Sequence, residues 1–158
     1  GCTALEAMTQ VLDGEAEQVL ADFVRCVGDV LPTAEDVVTA VADGRCYVGV
    51  TTEDLAMQAA ASGLSVTVIY PREGSVVQPD CAAIIADCAH EDNARAFIDF
   101  LLSGEVQERL TRQYRRTVFT PLGDASLPHA LAYDPYAAGA HQAETLDIWS
   151  SLTAEETP

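Results

Sequence analysis

The sequence predicts an α/β fold, a small mixed sheet flanked by helices, on three observations. Three short β-favouring runs stand at 46–50 (Cys-Tyr-Val-Gly-Val), 66–70 (Val-Thr-Val-Ile-Tyr) and 81–86 (Cys-Ala-Ala-Ile-Ile-Ala). Segments with apolar residues at helical spacing surround them, most closing near a glycine. One such segment separates the first two runs, as a βαβ crossover requires. With 158 residues and 49% apolar composition, the chain can bury one core, so a single lobe over 1–158 is expected.

Taken in order, Leu5, Met8, Val11 and Leu12 predict a first helix over 3–14, with Thr3 as its cap and Gly14 as its stop. A second helix over 15–28 buries Val19, Leu20, Phe23, Val24 and Val27. A third over 33–44 carries a Thr33-x-x-Asp36 cap and an inner face of Val37, Val38 and Val41. The run 46–50 then turns at Thr51-Thr52 into a helix over 53–62, closed by Gly63. The run 66–70 reads as a buried strand stopped by Pro71, and 71–80 is a turn-rich connection to the third apolar run.

A strongly amphipathic helix starts near His90, with Glu91 and Asp92 complementing its N-terminal dipole and Ala94, Phe97, Ile98 and Leu101 on one face. Ser103-Gly104 breaks it, and a further helix runs over 105–114, with Arg109, Arg112, Arg115 and Arg116 crowding its C-terminal end. A strand is expected over 117–120, an irregular segment over 121–140, and a terminal helix over 141–152 with Leu146, Ile148, Trp149 and Leu152.

The net charge of −17 arises from 25 acids against 8 bases, all arginine. Such a field repels nucleic acid and anionic membrane surfaces, so no nucleic-acid partner is expected. Attraction for an anion must come from helix N-termini or from the five arginines between Arg95 and Arg116. No apolar run reaches the ~20 residues that span a bilayer, and no basic-then-apolar export signal opens the chain, which reads as soluble. The five cysteines lack CxxC or Cys/His ligand spacing, so neither a zinc site nor another metal or cofactor is expected. Cys81 or Cys88 with His90, His129 or His141 could be read as nucleophile and base, but no GxSxG, Walker, HExxH or GxGxxG motif accompanies them, and no enzyme is expected.

Three stretches carry a family resemblance: Val41-Ala-Asp-Gly-Arg-Cys-Tyr-Val-Gly-Val50, Val68-Ile-Tyr-Pro-Arg-Glu-Gly-Ser75 and Ala94-Arg-Ala-Phe-Ile-Asp-Phe-Leu-Leu-Ser-Gly-Glu-Val-Gln107. In order and spacing they resemble the C-terminal lobe of periplasmic extracellular solute-binding proteins of ABC importers, of the ferric-iron and sugar-phosphate or phosphonate type. The resemblance covers about residues 1–120, and Trp149 is similar to a residue of the family's terminal helix. It implies one lobe of a type II periplasmic-binding-protein-like fold. It also implies a partner N-terminal lobe outside this chain, ABC permease subunits as partners, and a periplasmic or extracellular location, with or without a lipid anchor. The implied function is capture of a small anionic solute between two lobes. A ferric-iron carrier, or a solute-sensing or protein-interaction module without a transport role, are the alternatives. The adjacent tyrosine pair that ligates iron in ferric-binding relatives is absent, since Tyr47, Tyr70, Tyr114, Tyr133 and Tyr136 are dispersed.

Candidate ligand-binding residues fall at the joints. Gly1-Cys2-Thr3 resembles the tail of a Ser-Gly-Thr turn that binds the ligand's anionic group; Thr3 is either such a contact or a plain cap. Thr51, Thr52 and Glu53 stand where a strand would hand over to a helix, the usual ligand position in open α/β sheets, or else simply cap that helix and complement its dipole. Glu73 could accept hydrogen bonds from solute hydroxyls or an amine, with Gly74 allowing close backbone approach, or be a solvated turn residue. The arginines after Arg109 either meet phosphate or form a solvated helix end. The Ser103-Gly104 break is structural, letting two helices pack at an angle.

Overall fold

A computed structural model describes residues 2–12, 16–119, 130–131 and 133–155. Seven helices lie among them: α1 (Cys2–Leu12), α2 (Ala16–Cys26), α3 (Ala34–Ala42), α4 (Glu53–Ala61), α5 (Glu91–Leu101), α6 (Gly104–Arg112) and α7 (Pro135–Glu155). The chain divides into two units. Unit 1 is Gly1–Thr33, Tyr70–Gln78 and Pro128–Pro158, and unit 2 is Ala34–Ile69 and Pro79–Leu127.

Unit 1 packs α1, α2 and α7 against one another. Its described core is Leu5 and Ala7 of α1, Leu20 and Val24 of α2, and Ala138 of α7. Phe23 and Trp149 meet with ring centroids 6.3 Å apart, tilted by 46°. α7 starts at Pro135, earlier than the helix expected from 141, because Asp134 is an N-cap: its Oδ1 accepts from Tyr136 N at 2.9 Å and Ala137 N at 3.2 Å. The Gln10 side-chain amide grips the same residue twice, donating to Asp134 O at 2.9 Å and accepting from Asp134 N at 3.0 Å. Half of the expected irregular segment, 121–129 and 132, lies outside the described residues.

Two polar groups share the apolar interior. Glu6 is 3% exposed and accepts a 3.3 Å hydrogen bond from Thr145 Oγ1, itself 3% exposed. The other carboxylate oxygen, Oε1, has no partner among the described residues. Sequence periodicity gave no sign of this pair, since a glutamate between Leu5 and Ala7 reads as a solvent-facing helix position.

In unit 2, α3 packs on α4 and α5 on α6. The chain leaving α3 lies directly on it: a Cβ at Gly49 would stand 2.6 Å from Val37 Cγ1 and 2.9 Å from Val41 Cγ2. The expected sheet is not formed. Segments 46–50, 66–70 and 81–86 contain no strand, and the expected strand over 117–120 is turn and irregular structure through Phe119, with Thr120 outside the described residues. Among the described residues the single β-bridge is Ser75 with Ala130, in unit 1, where Leu131 N donates to Ser75 O at 3.0 Å. The βαβ crossover and the α/β class are thereby overturned in favour of a helical architecture.

The reason is that β-propensity measures fit to a pleated, half-buried surface, whereas a strand exists only when a neighbour takes its N–H and C=O groups. Among the described residues these segments form no ladder with a neighbour, and Tyr47, Val48, Ile69 and Ile85 stay at least 80% exposed. A buried parallel strand would cover such residues on both faces.

Two outcomes follow for stability. Gly49→Ala places a methyl against two stiff valines and lowers the urea midpoint of the chain, costing about 1–3 kcal/mol, whereas Gly104→Ala, in open space at a helix start, raises it slightly. In unit 1, Thr145→Val leaves Glu6 without a partner and destabilises by about 1–3 kcal/mol. The double variant Glu6→Met/Thr145→Val recovers most or all of that loss, because removing both partners leaves no buried polar group unsatisfied.

Candidate functional site

The start of α4 gathers most of the chemistry in unit 2. Thr52 occupies the N-cap position with an extended backbone (φ −83°, ψ 148°), and its carbonyl accepts from Ala56 N at 3.2 Å. Its hydroxyl does not cap the helix and the residue is exposed. Thr51 is half-buried and donates from Oγ1 to Ala34 O at 3.2 Å, which ties the joint to the start of α3. Glu53 and Asp54 fill the first turn, where carboxylates favour the helix dipole.

Both carboxylates are engaged by arginines from beyond α6. Arg116 closes on Glu53 in a bidentate pair, Nε to Oε2 at 2.8 Å and Nη2 to Oε1 at 2.6 Å, with both side chains about three-quarters buried. Arg115 reaches Asp54 Oδ2 at 3.0 Å and also pairs with Asp80. Burial pushes the Asp54 carboxyl up, but the Thr52 hydroxyl, the Arg115 guanidinium and the Leu55 backbone N–H together outweigh it and hold the group below its ordinary value of 3.8. The same pairing holds Arg115 above its ordinary value.

The segment carrying these arginines is tied by the Arg115 N–H donating to Leu110 O at 3.0 Å and by two glutamines. Gln107, 6% exposed on α6, donates from Nε2 to Leu101 O at 2.9 Å and accepts at Oε1 from Val118 N at 3.1 Å. Gln58 of α4 donates to Gln113 O at 3.0 Å. The α5–α6 break follows from Ser103, whose Oγ accepts from Val106 N at 3.4 Å as the N-cap of α6.

The remaining sequence-predicted positions belong to unit 1. Glu73 is exposed on a turn closed by Gly74 N donating to Pro71 O at 3.2 Å, and Gly74 is buried at φ 125°, a conformation that favours glycine. Thr3 is the second residue of α1 rather than the residue before it, and its side chain lies outside the described residues. Thr51, Thr52 and Glu53 are thus brought together at one helix start in unit 2, while Thr3, Glu73 and Gly74 are part of unit 1.

Sequence reasoning did not find Asp54, Asp80, Gln107 or the partners of Arg115 and Arg116. The available signal was charge: two acids opening α4 and an arginine pair just past α6, in a chain with few bases. Arg112, by contrast, pairs one turn back with Glu108 at 3.2 Å on the exposed face of α6. No group of three or more His, Cys, Asp or Glu among the described residues is arranged to hold a metal ion.

A family model for bacterial extracellular solute-binding proteins matches residues 3–139. The chain belongs to this family. No curated protein and no solved structure gives a significant match. Solute binding outside the cell, in the service of transport, is therefore the function of this solute-binding protein at the level the family defines. No helix among the described residues is long and apolar enough to cross a membrane.

The Asp54 pairing gives this solute-binding protein an acid-dependent component of stability. With the folded-state value below the ordinary one, the contribution is complete above the ordinary value and is lost as pH falls through the lower, folded one. The urea-midpoint advantage of wild type over Asp54→Asn is accordingly largest near neutral pH and shrinks as the solution is acidified below the ordinary carboxylate range.

Proposed function

We propose that this chain is the C-terminal lobe of a solute-binding protein serving an ABC importer, and that together with an N-terminal lobe it captures a small anionic solute of the sugar-phosphate or phosphonate class. The family match over residues 3–139 carries the solute-binding part of this proposal. The anionic class is supported by the α4 start, whose first-turn backbone N–H groups other than that of Leu55 suit anionic oxygens, and where the exposed Thr52 hydroxyl, which donates to Asp54, would turn to a solute oxygen. Glu73 and Gly74, on their turn, and Thr3, in the first turn of α1, are the further contacts proposed. Glu53 serves this scheme by holding the joint through Arg116 rather than by facing solute directly.

In this scheme the solute bridges two lobes and shifts the protein towards a closed state that the permease subunits distinguish from the open one. The location proposed is periplasmic, or extracellular on a lipid anchor.

Thermal-shift measurements on the natural full-length protein, with sugar phosphates, phosphonates, polyamines and Fe(III) in turn, test the ligand class. A ligand at a hundredfold excess over its Kd stabilises the native state by about 2.7 kcal/mol. The expected outcome is a raised Tm with a phosphorylated or phosphonate solute, weakened in Thr52→Val. Stabilisation by Fe(III) with indifference to every phosphorylated compound would reverse the assignment.

A further inference from the structure

Gln107 lies outside every segment proposed to touch solute, yet it is the most buried polar side chain described in unit 2. Its two hydrogen bonds run to different parts of the chain. Nε2 donates to Leu101 O, one of the carbonyls left over at the C-terminal end of α5, and Oε1 accepts from the backbone N–H of Val118. Val118 is only two residues beyond Arg116 and three beyond Arg115. A side chain on α6 therefore fixes where the segment after α6 runs, and with it where both guanidiniums arrive.

We propose that Gln107 is the positioning residue of the α4 start: by holding Val118 N–H it sets Arg116 on Glu53 and Arg115 on Asp54, and so the charge state of the joint. The other anchors described, Gln58 on Gln113 O and the Arg115 N–H donating to Leu110 O at 3.0 Å, lie at or before Arg115, so they restrain the segment on its upstream side. Without Gln107 the tie at Val118 N is lost. The bidentate Arg116–Glu53 geometry needs both atoms of a fork in register, and a guanidinium displaced by an ångström keeps its charge but loses that geometry. The groups facing Asp54 are Thr52 and Glu53 beside it on the α4 start and Arg115 from beyond α6; Asp80 shares Arg115, and Arg116 is held by Glu53.

The functional meaning of this role rests on the α4 start being a solute contact, but the coupling is measurable without solute. In the full chain, the side-chain carboxyl of Asp54 is titrated by NMR in wild type, Gln107→Met and Arg115→Gln. Methionine keeps the length and burial of glutamine while leaving Val118 N–H and Leu101 O without partners. The expected result is an Asp54 midpoint that moves upward in Gln107→Met towards the value in Arg115→Gln, with the loss of upfield or downfield Arg116 Nε–H dispersion that marks a held guanidinium.

A Gln107→Met chain that is less stable but titrates at Asp54 as wild type does would overturn the proposal and leave Gln107 as a core residue alone. If that variant does not fold, Gln107→Asn, polar but one methylene too short to span both partners, takes its place in the same comparison. Failure of both to fold would likewise assign Gln107 to the core and overturn its positioning role. A moved Asp54 midpoint combined with no response to any anionic solute would uphold the coupling and reject the solute contact, so the two failures are distinguishable.

Discussion

The fork between Arg116 and Glu53 is the interaction on which the order of unit 2 rests. In a unit whose extended segments have no ladder partners among the described residues, distant parts of the chain must be joined by side chains. This pair joins positions 63 apart with two hydrogen bonds, both side chains largely withdrawn from water. Such burial keeps the attraction from being screened, while the fork fixes orientation as a point charge would not. The neighbouring Arg115–Asp80 contact is different in kind: the Asp80 side chain is 82% exposed, and exposed pairs contribute little. Arg115–Asp54 lies between them, with Asp54 well covered and Arg115 less so.

Unit 1 is held by another balance. Three helices bury small and medium apolar residues against one another, and the long-range polar ties serve the helix start at Asp134 rather than replace a missing sheet. Within that interior Glu6 and Thr145 are a local conflict. Their single hydrogen bond offsets only part of the cost of removing a carboxylate from water, and the second oxygen is left without a partner among the described residues. The apolar burial of Leu5, Leu20 and Val24 in the same unit must carry that cost.

Helix positions were legible in the sequence because their signals are local. Glycine and Ser-Gly stops, first-turn acids and apolar spacing located α1 to α6 to within a few residues, and Ser103 does cap α6. The early start of α7 was missed because Ala, Gly and Tyr after Pro135 suggested an irregular segment, although Asp134-Pro135 is itself a start signal. The sheet was misread for a deeper reason. Val66, Val68 and Ile69 favour extended backbone, but whether an extended segment becomes a strand depends on a partner elsewhere, which no window of sequence contains. The same non-locality hid the partners of Arg115 and Arg116: their charge was visible, but not the acids they would meet. The joint at Thr51-Thr52-Glu53 was placed at a helix start correctly, as an extended-to-helix joint rather than a strand-to-helix one.

Electrostatics constrain what such a joint can recognise. A chain of net charge −17 gives an approaching anion no long-range assistance, so selectivity has to come from short-range donors. At the α4 start the three carboxylates of Glu53, Asp54 and Asp80 face two guanidiniums, leaving an excess negative charge that would repel phosphate if it were unscreened. The pairing spreads that charge: Glu53 and Asp54 are each bound to arginine, and the excess resides on the exposed Asp80, where water screens it. What the joint then presents is the positive end of α4, neutral backbone donors whose strength falls off within a turn of helix, while the Thr52 hydroxyl is committed to Asp54. Recognition by such donors is demanding of distance and direction, so the position of the arginines, which decides how far the carboxylates are neutralised, governs whether an anion can approach at all.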